Sequence, residues 1–114
     1  MNGRTSYEII SSYLTQEIRS AMRLVSAERQ RDLSEIRIRS GRAVSFVYPG
    51  QIMFLKKDGR LTADHRDSGC ICASAADIRS ITEALCRYSV QSCPNALREG
   101  FFVIVGGVRV GLSG

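Results

Sequence analysis

Apolar positions set the first division of the chain. From Ser6 to about Arg31, the residues Ile10, Leu14, Ile18, Met22 and Val25 recur every three or four positions. That spacing predicts amphipathic helix with charge on the opposite face. Thr15 and Ser26 interrupt it as candidate N-caps and divide the region into short helices. The period then drops to two: in EIRIRS, Ile36 and Ile38 alternate with Glu35, Arg37 and Arg39. A half-buried strand follows, with both arginines on one face.

The runs AVSFVY and QIMFL are joined by Pro49-Gly50. Proline presets its own φ and glycine accepts the positive φ of a type II turn, so a hairpin is expected. KKDGRLTADHRDSG, residues 56 to 69, reads as a polar surface loop, and CICA as a short edge strand. Ser74 with Asp77 three residues on makes a capping box, after which Ile78, Ile81, Leu85 and Tyr88 trace one helical face. Pro94 suits the first turn of a short helix, NALRE, that Gly100 terminates. FFVIV and VRVGL flank Gly106-Gly107, the mark of a tight hairpin. The order lacks βαβ alternation and predicts an α+β fold: N-terminal helices, a mainly antiparallel sheet with two hairpins, and a helix pair packed on it.

A length of 114 residues with 44% hydrophobic content fits one domain with its own core. No stretch approaches a membrane span and the N-terminus has no signal-peptide run, so a cytoplasmic setting is expected. Sixteen basic residues oppose eleven acidic ones; apart from Lys56 and Lys57 the basic residues are arginines, whose planar forks suit phosphate and carboxylate. The arginines are dispersed, so a solvated surface explains them as well as an anionic partner does. The cysteines Cys70, Cys72, Cys86 and Cys93 lack paired zinc-knuckle spacing and are expected to be reduced, with Cys86 a small apolar filler; no metal site is expected. His65, the single histidine, falls in a polar loop and is expected to be exposed.

The closing stretch GGVRVGLSG resembles a phosphate loop at first sight. A P-loop requires G-x4-G-K-[ST], and no such string occurs. Residues 106 to 111 also fail the dinucleotide fingerprint, because strand rather than helix surrounds them. With no histidine and acid placed to serve a serine, and no carboxylate pair at useful spacing, no catalytic residue is assigned within this chain.

LSEIRIRSGRAVSFVYPGQ, followed by RYSVQSCPNALREGFFVIVGGVRVGLSG, resembles the N-terminal part of the stage III sporulation protein AA family of endospore-forming bacteria. The resemblance is tight in two blocks: EIRIRSGR, where the family shows E-I-R-x-R-x-G-R, and L-R-x-G-[FY] followed by G-G-x-R-V-G-L. It implies that residues 1–114 are a single N-terminal domain fragment of a larger parent, whose C-terminal P-loop ATPase domain is similar to the motors of type II and type IV secretion. ATP and Mg are then expected for the parent and no cofactor for this fragment. The implied partners are the parent's own motor domain, neighbouring subunits of a homo-hexamer, and membrane-associated channel components. The implied place is the mother-cell cytoplasm, peripheral to the membrane. The implied role is regulation and assembly of a motor for a channel between mother cell and forespore.

A remoter resemblance to N-terminal domains of traffic ATPases supports the same layout. There, arginines reach nucleotide phosphates on the motor domain. Carried over by position, Arg109 is the candidate ATP-phosphate contact, and Arg37, Arg39, Arg42 and Arg109 are candidates for the interdomain or subunit interface. Gly111 departs from the R-x-R pair of pilus-type motors and leaves one guanidinium on that strand face. Two other readings stand beside this one. A pI of 9.4 with arginines aligned on a strand fits an RNA- or DNA-binding module, although no GXXG clamp is present and no nucleic-acid partner is expected. A protein-interaction domain that needs no nucleotide is the third.

Overall fold

Three hydroxyl caps cut the N-terminal apolar pattern into three helices in a computed structural model that describes residues 4–88 and 100–114. Helix α1 spans Ser6–Ser11, α2 Gln16–Leu24 and α3 Ala27–Arg31. Thr15 Oγ1 accepts from the Ile18 N–H and Ser26 Oγ from the Arg29 N–H, as their positions predict. Thr5 adds a full capping box with Glu8: its Oγ1 accepts from the Glu8 N–H at 3.1 Å and its own N–H donates to Glu8 Oε1 at 2.9 Å. Each cap satisfies an amide that the first turn leaves without an intrahelical partner.

The strands follow the period-two pattern: β1 Glu35–Arg39, β2 Ser45–Tyr48, β3 Gln51–Leu55, β4 Leu61–Thr62, then, after helix α4 (Ala75–Tyr88), β5 Phe101–Val105 and β6 Val108–Ser113. Gly50 takes φ 72° at the β2–β3 turn, while Gly106 and Gly107 take φ 56° and 89° at the β5–β6 turn. Both positive values at Gly106-Gly107 fit a type I′ hairpin, whose twist matches that of the flanking strands. Ser74 and Asp77 exchange hydrogen bonds of 2.9 and 3.1 Å at the start of α4.

The six strands lie in the order β4-β3-β2-β1-β6-β5. All neighbours are antiparallel except β1 and β6, two interior strands that run parallel with Glu35 opposite Arg109 and Arg37 opposite Gly111. The mainly antiparallel α+β architecture therefore stands, and the parallel pair joins the two sequence blocks as adjacent strands. A parallel pair needs a long crossover, here provided by everything between β1 and β6. Helices α1, α2 and α4 cover one face: Ile10, Ile18, Met22, Ile78, Ile81 and Leu85 pack with Ile36, Ile38, Phe46, Val110 and Leu112 in one buried cluster. Phe46 is fully buried on the central part of this face. Truncating such a side chain to alanine costs about 3–5 kcal/mol.

Three expectations are corrected. Residues 56 to 69 are not loop throughout, because Leu61 and Thr62 pair with Leu55 and Phe54 as β4. CICA forms no strand; Cys70, Cys72 and Ala73 make only isolated bridges, to Lys56, Ala43 and Ser40. Cys86 is disulfide-bonded rather than reduced. It sits half-buried at the margin of the α4 core face, beside rather than within the row of Ile78, Ile81 and Leu85, so the apolar period did not report its chemistry. Cys70 and Cys72 are free, and burial pushes the Cys70 thiol pKa up, away from reactive thiolate. The short helix at Pro94 and NALRE, and with it the second member of the helix pair, lies outside the described residues.

Candidate functional site

The sheet face opposite the helices is left uncovered by the described residues, and alternation places the predicted arginines on it. On β1, Ile36 and Ile38 are fully buried, so Glu35, Arg37 and Arg39 point the other way. Parallel register then sets the outward residues of β6 beside them: Arg109 next to Glu35, Gly111 next to Arg37, Ser113 next to Arg39. On β5, Ile104 pairs with Arg109 and Phe102 with Gly111. Two rows result across the sheet: Ile52, Val47, Glu35, Arg109, Ile104, and Phe54, Ser45, Arg37, Gly111, Phe102.

Charge on this face is only partly compensated. Glu35 receives Arg37 through two contacts, Nε to Oε2 at 3.2 Å and Nη2 to Oε1 at 3.4 Å. Arg109 Nε stands 4.0 Å from the same Oε2. The planar Arg109 guanidinium also lies over Phe102, with Cζ 3.9 Å from the ring centroid. Gly111 leaves an open space between Arg37 and Phe102, and a groove of ≈ 400 Å³ runs past Glu35, Arg39 and Arg109. Among the described residues, Arg39 and Arg42 enter no ion pair.

Arg42 reaches the face from the β1–β2 turn, where Gly41 takes φ 74° and the Arg42 N–H donates to the Arg39 carbonyl at 3.1 Å. It lines a second pocket of ≈ 250 Å³ together with Arg37, Arg39, Ser45, Phe54 and His65. Thus Arg37 and Arg39 belong to both concavities, Arg109 to the first and Arg42 to the second; the sheet brings all four onto one surface. His65 is exposed, as its loop position implies, yet its ring meets the Phe54 ring edge at 5.8 Å. Nothing local in DHRD signals that placement; it depends on β3 and β4 pairing ahead of it.

The same face is also apolar. Phe102, Ile104 and Ile52 are 50%, 58% and 45% exposed. Exposed aromatic and aliphatic side chains beside arginines match the composition of protein interfaces better than that of an inert surface. No group of three or more metal-ligating residues occurs among the described residues, and none of their helices is long and apolar enough to cross a membrane.

The family described as "Sporulation stage III, protein AA" matches residues 4–114. Stage III sporulation protein AA of Bacillus subtilis (strain 168) is 28% identical over 105 residues, which cover 92% of this chain and 30% of that relative. This chain thus corresponds to under a third of the length of the curated relative it matches. No solved structure matches it significantly. The match along nearly the whole chain, over both arginine-bearing interior strands, places this protein in the stage III sporulation protein AA family.

Proposed function

We propose that this domain is the N-terminal regulatory and assembly part of a sporulation ATPase similar to type II and type IV secretion motors. Family membership supports the sporulation role. The carrying observation for the assembly role is the uncovered sheet face, where Arg37, Arg39 and Arg109 lie beside exposed Phe102 and Ile104. The face docks on the parent's motor domain or on a neighbouring subunit of a hexamer. Its apolar residues supply contact area and its arginines set register against acidic groups.

ATP and Mg belong to the motor domain, since this chain has no phosphate loop. Arg109 is the residue proposed to reach a nucleotide phosphate; its stack on Phe102 orders the guanidinium, and among the described residues only the long 4.0 Å approach of Glu35 competes for its edge. Channel components at the mother-cell membrane hold the assembly in place and receive its work.

The test is ATPase turnover and subunit assembly of the full-length parent carrying Arg109→Ala. Loss of at least about tenfold in turnover with intact assembly assigns the phosphate contact. Unchanged turnover with weakened assembly assigns docking alone. Wild-type values for both remove Arg109 from the mechanism and overturn the reading of this face.

A further inference from the structure

The pocket beside the Gly41 turn differs in charge from the Glu35 groove. In the groove, one carboxylate engages both Arg37 and Arg109. In the pocket, no carboxylate among the described residues lines the wall, which carries Arg37, Arg39, Arg42 and His65. The acids of the adjoining loop are turned elsewhere. Asp64 Oδ1 accepts from the Arg66 N–H at 2.9 Å, and Asp58 Oδ1 from the Arg60 N–H at 3.0 Å. Asp67 accepts from the Gly69 N–H at 2.8 Å and pairs with Lys56 at 3.2 Å.

Three arginines line this one concavity, and Arg37 alone among them has an acidic partner, so the charges of Arg39 and Arg42 are left uncompensated among the described residues. Arg39 and Arg42 thus present two forks of the geometry that binds phosphate oxygens in pairs. The lining also holds an aromatic pair, Phe54 with the His65 ring edge-on to it. A volume of ≈ 250 Å³ lies below the usual range for drug-sized ligands and fits a phosphate with a small attached group.

We propose that this pocket binds a small soluble phosphate compound, with Arg39 and Arg42 on the phosphate oxygens and the Phe54–His65 pair against the group that carries the phosphate. The pocket shares Arg37 and Arg39 with the docking face but is tested separately: ligand binding is read on the 114-residue chain itself, whereas docking is read from turnover and assembly of the parent.

The experiment titrates the chain with phenyl phosphate and with inorganic phosphate, following backbone amide shifts by NMR. One saturable site is expected, with shifts centred on Arg39, Arg42 and His65. Arg39→Ala and Arg42→Ala each weaken phenyl phosphate by about tenfold or more, the scale of a lost charge-assisted pair. Arg19→Ala, on the helical side, changes affinity less than about twofold. Phenyl phosphate binds more tightly than inorganic phosphate, and Phe54→Leu, which keeps apolar bulk, removes that advantage. Absence of saturation, equal weakening by Arg19→Ala, or capture only by phosphatidic-acid vesicles overturns the proposal.

Discussion

Arg109 stacks on Phe102 across a diagonal: Phe102 is paired with Gly111, yet the Arg109 guanidinium lies 3.9 Å from its ring centroid. Gly111 has no side chain to block that diagonal, so the guanidinium reaches the ring unhindered. The single arginine of this strand is therefore held by an aromatic ring on one side and approached by Glu35 on the other. A stacked, partly paired arginine is better ordered than a free one, and less conformational entropy is lost when a partner binds it.

That arrangement makes Gly111 informative. A Cβ there meets only Glu35 Oε2, at 3.6 Å, an ordinary contact, and its φ lies outside the glycine-favouring range. Gly111→Ala is expected to stabilise the chain by about 0.5 kcal/mol, since glycine inside a strand carries extra unfolded-state entropy. Gly111→Leu occupies the space that Arg109 uses and removes the stack, at a cost of about 0.5–1 kcal/mol relative to the alanine variant. Urea denaturation midpoints of the two variants check both signs.

Tyr7 and Tyr48 are both buried, with opposite hydrogen-bond fates. The Tyr7 hydroxyl donates to the Met22 carbonyl at 2.6 Å, whereas the Tyr48 hydroxyl has no partner among the described residues. Tyr7→Phe is expected to cost about 1 kcal/mol, moderated because the Met22 carbonyl also accepts from the Val25 N–H. Tyr48→Phe is expected to be neutral or stabilising by up to about 1 kcal/mol, because it removes a desolvated polar atom that gains nothing in return. Burial pushes the Tyr48 pKa up to about 12, with Arg29 opposing and Asp32 adding to the rise. Burial also raises that of Tyr7. The unfolded phenols titrate near 10, so stability is complete below that pH and falls as pH rises from there through about 12. Tyr48→Phe makes the alkaline limb shallower, which denaturation at successive pH values measures.

Much of this fold was legible because its cues are local. Thr15, Ser26 and Ser74 act within one helical turn, and Pro49-Gly50 and Gly106-Gly107 set hairpins within four residues. The alternation around Ile36 and Ile38 gave the face of Arg37 and Arg39 for the same reason. The parallel pairing of β1 with β6 was not legible, since strand partners distant in sequence leave no periodic trace. The site inherits this division: the arginines could be named one by one, but the Glu35–Arg109 contact depends on that register. The entry of His65 into the Arg42 pocket depends on β4, which two residues were too few to announce.

The Asp67 carboxyl holds the polar segment between β4 and α4. The Gly69 N–H, and then the Lys56 ammonium, stabilise its charged form and lower its pKa. The sign follows directly: this contribution is present above the usual carboxylate range, near pH 4, and is lost as pH falls through the lower folded value. Asp67→Asn is therefore expected to be less stable than the parent sequence at neutral pH and to converge with it in acid. Paired denaturation curves from neutral pH downward check the convergence; a gap that persists unchanged in acid assigns the effect to something other than the charge.

Gly106 ties the β5–β6 hairpin to the first helix. Its carbonyl accepts from Ser6 Oγ at 3.2 Å, and a Cβ at Gly106 would overlap that hydroxyl and approach Ser6 Cβ to 2.8 Å. Gly107 has an even more positive φ, 89° against 56°, but nothing within 4 Å of an added Cβ. Conformation alone would make alanine at the two positions comparably costly, at about 1–2 kcal/mol each. The clash adds to Gly106 only, so Gly106→Ala is expected to be clearly the more destabilising variant. Combining it with Ser6→Gly, which removes the overlapping atoms, separates the two causes. Recovery to the level of Gly107→Ala, after correction for Ser6→Gly alone, isolates the steric part. A Gly106→Ala variant no worse than Gly107→Ala contradicts this seating of helix α1 against the hairpin.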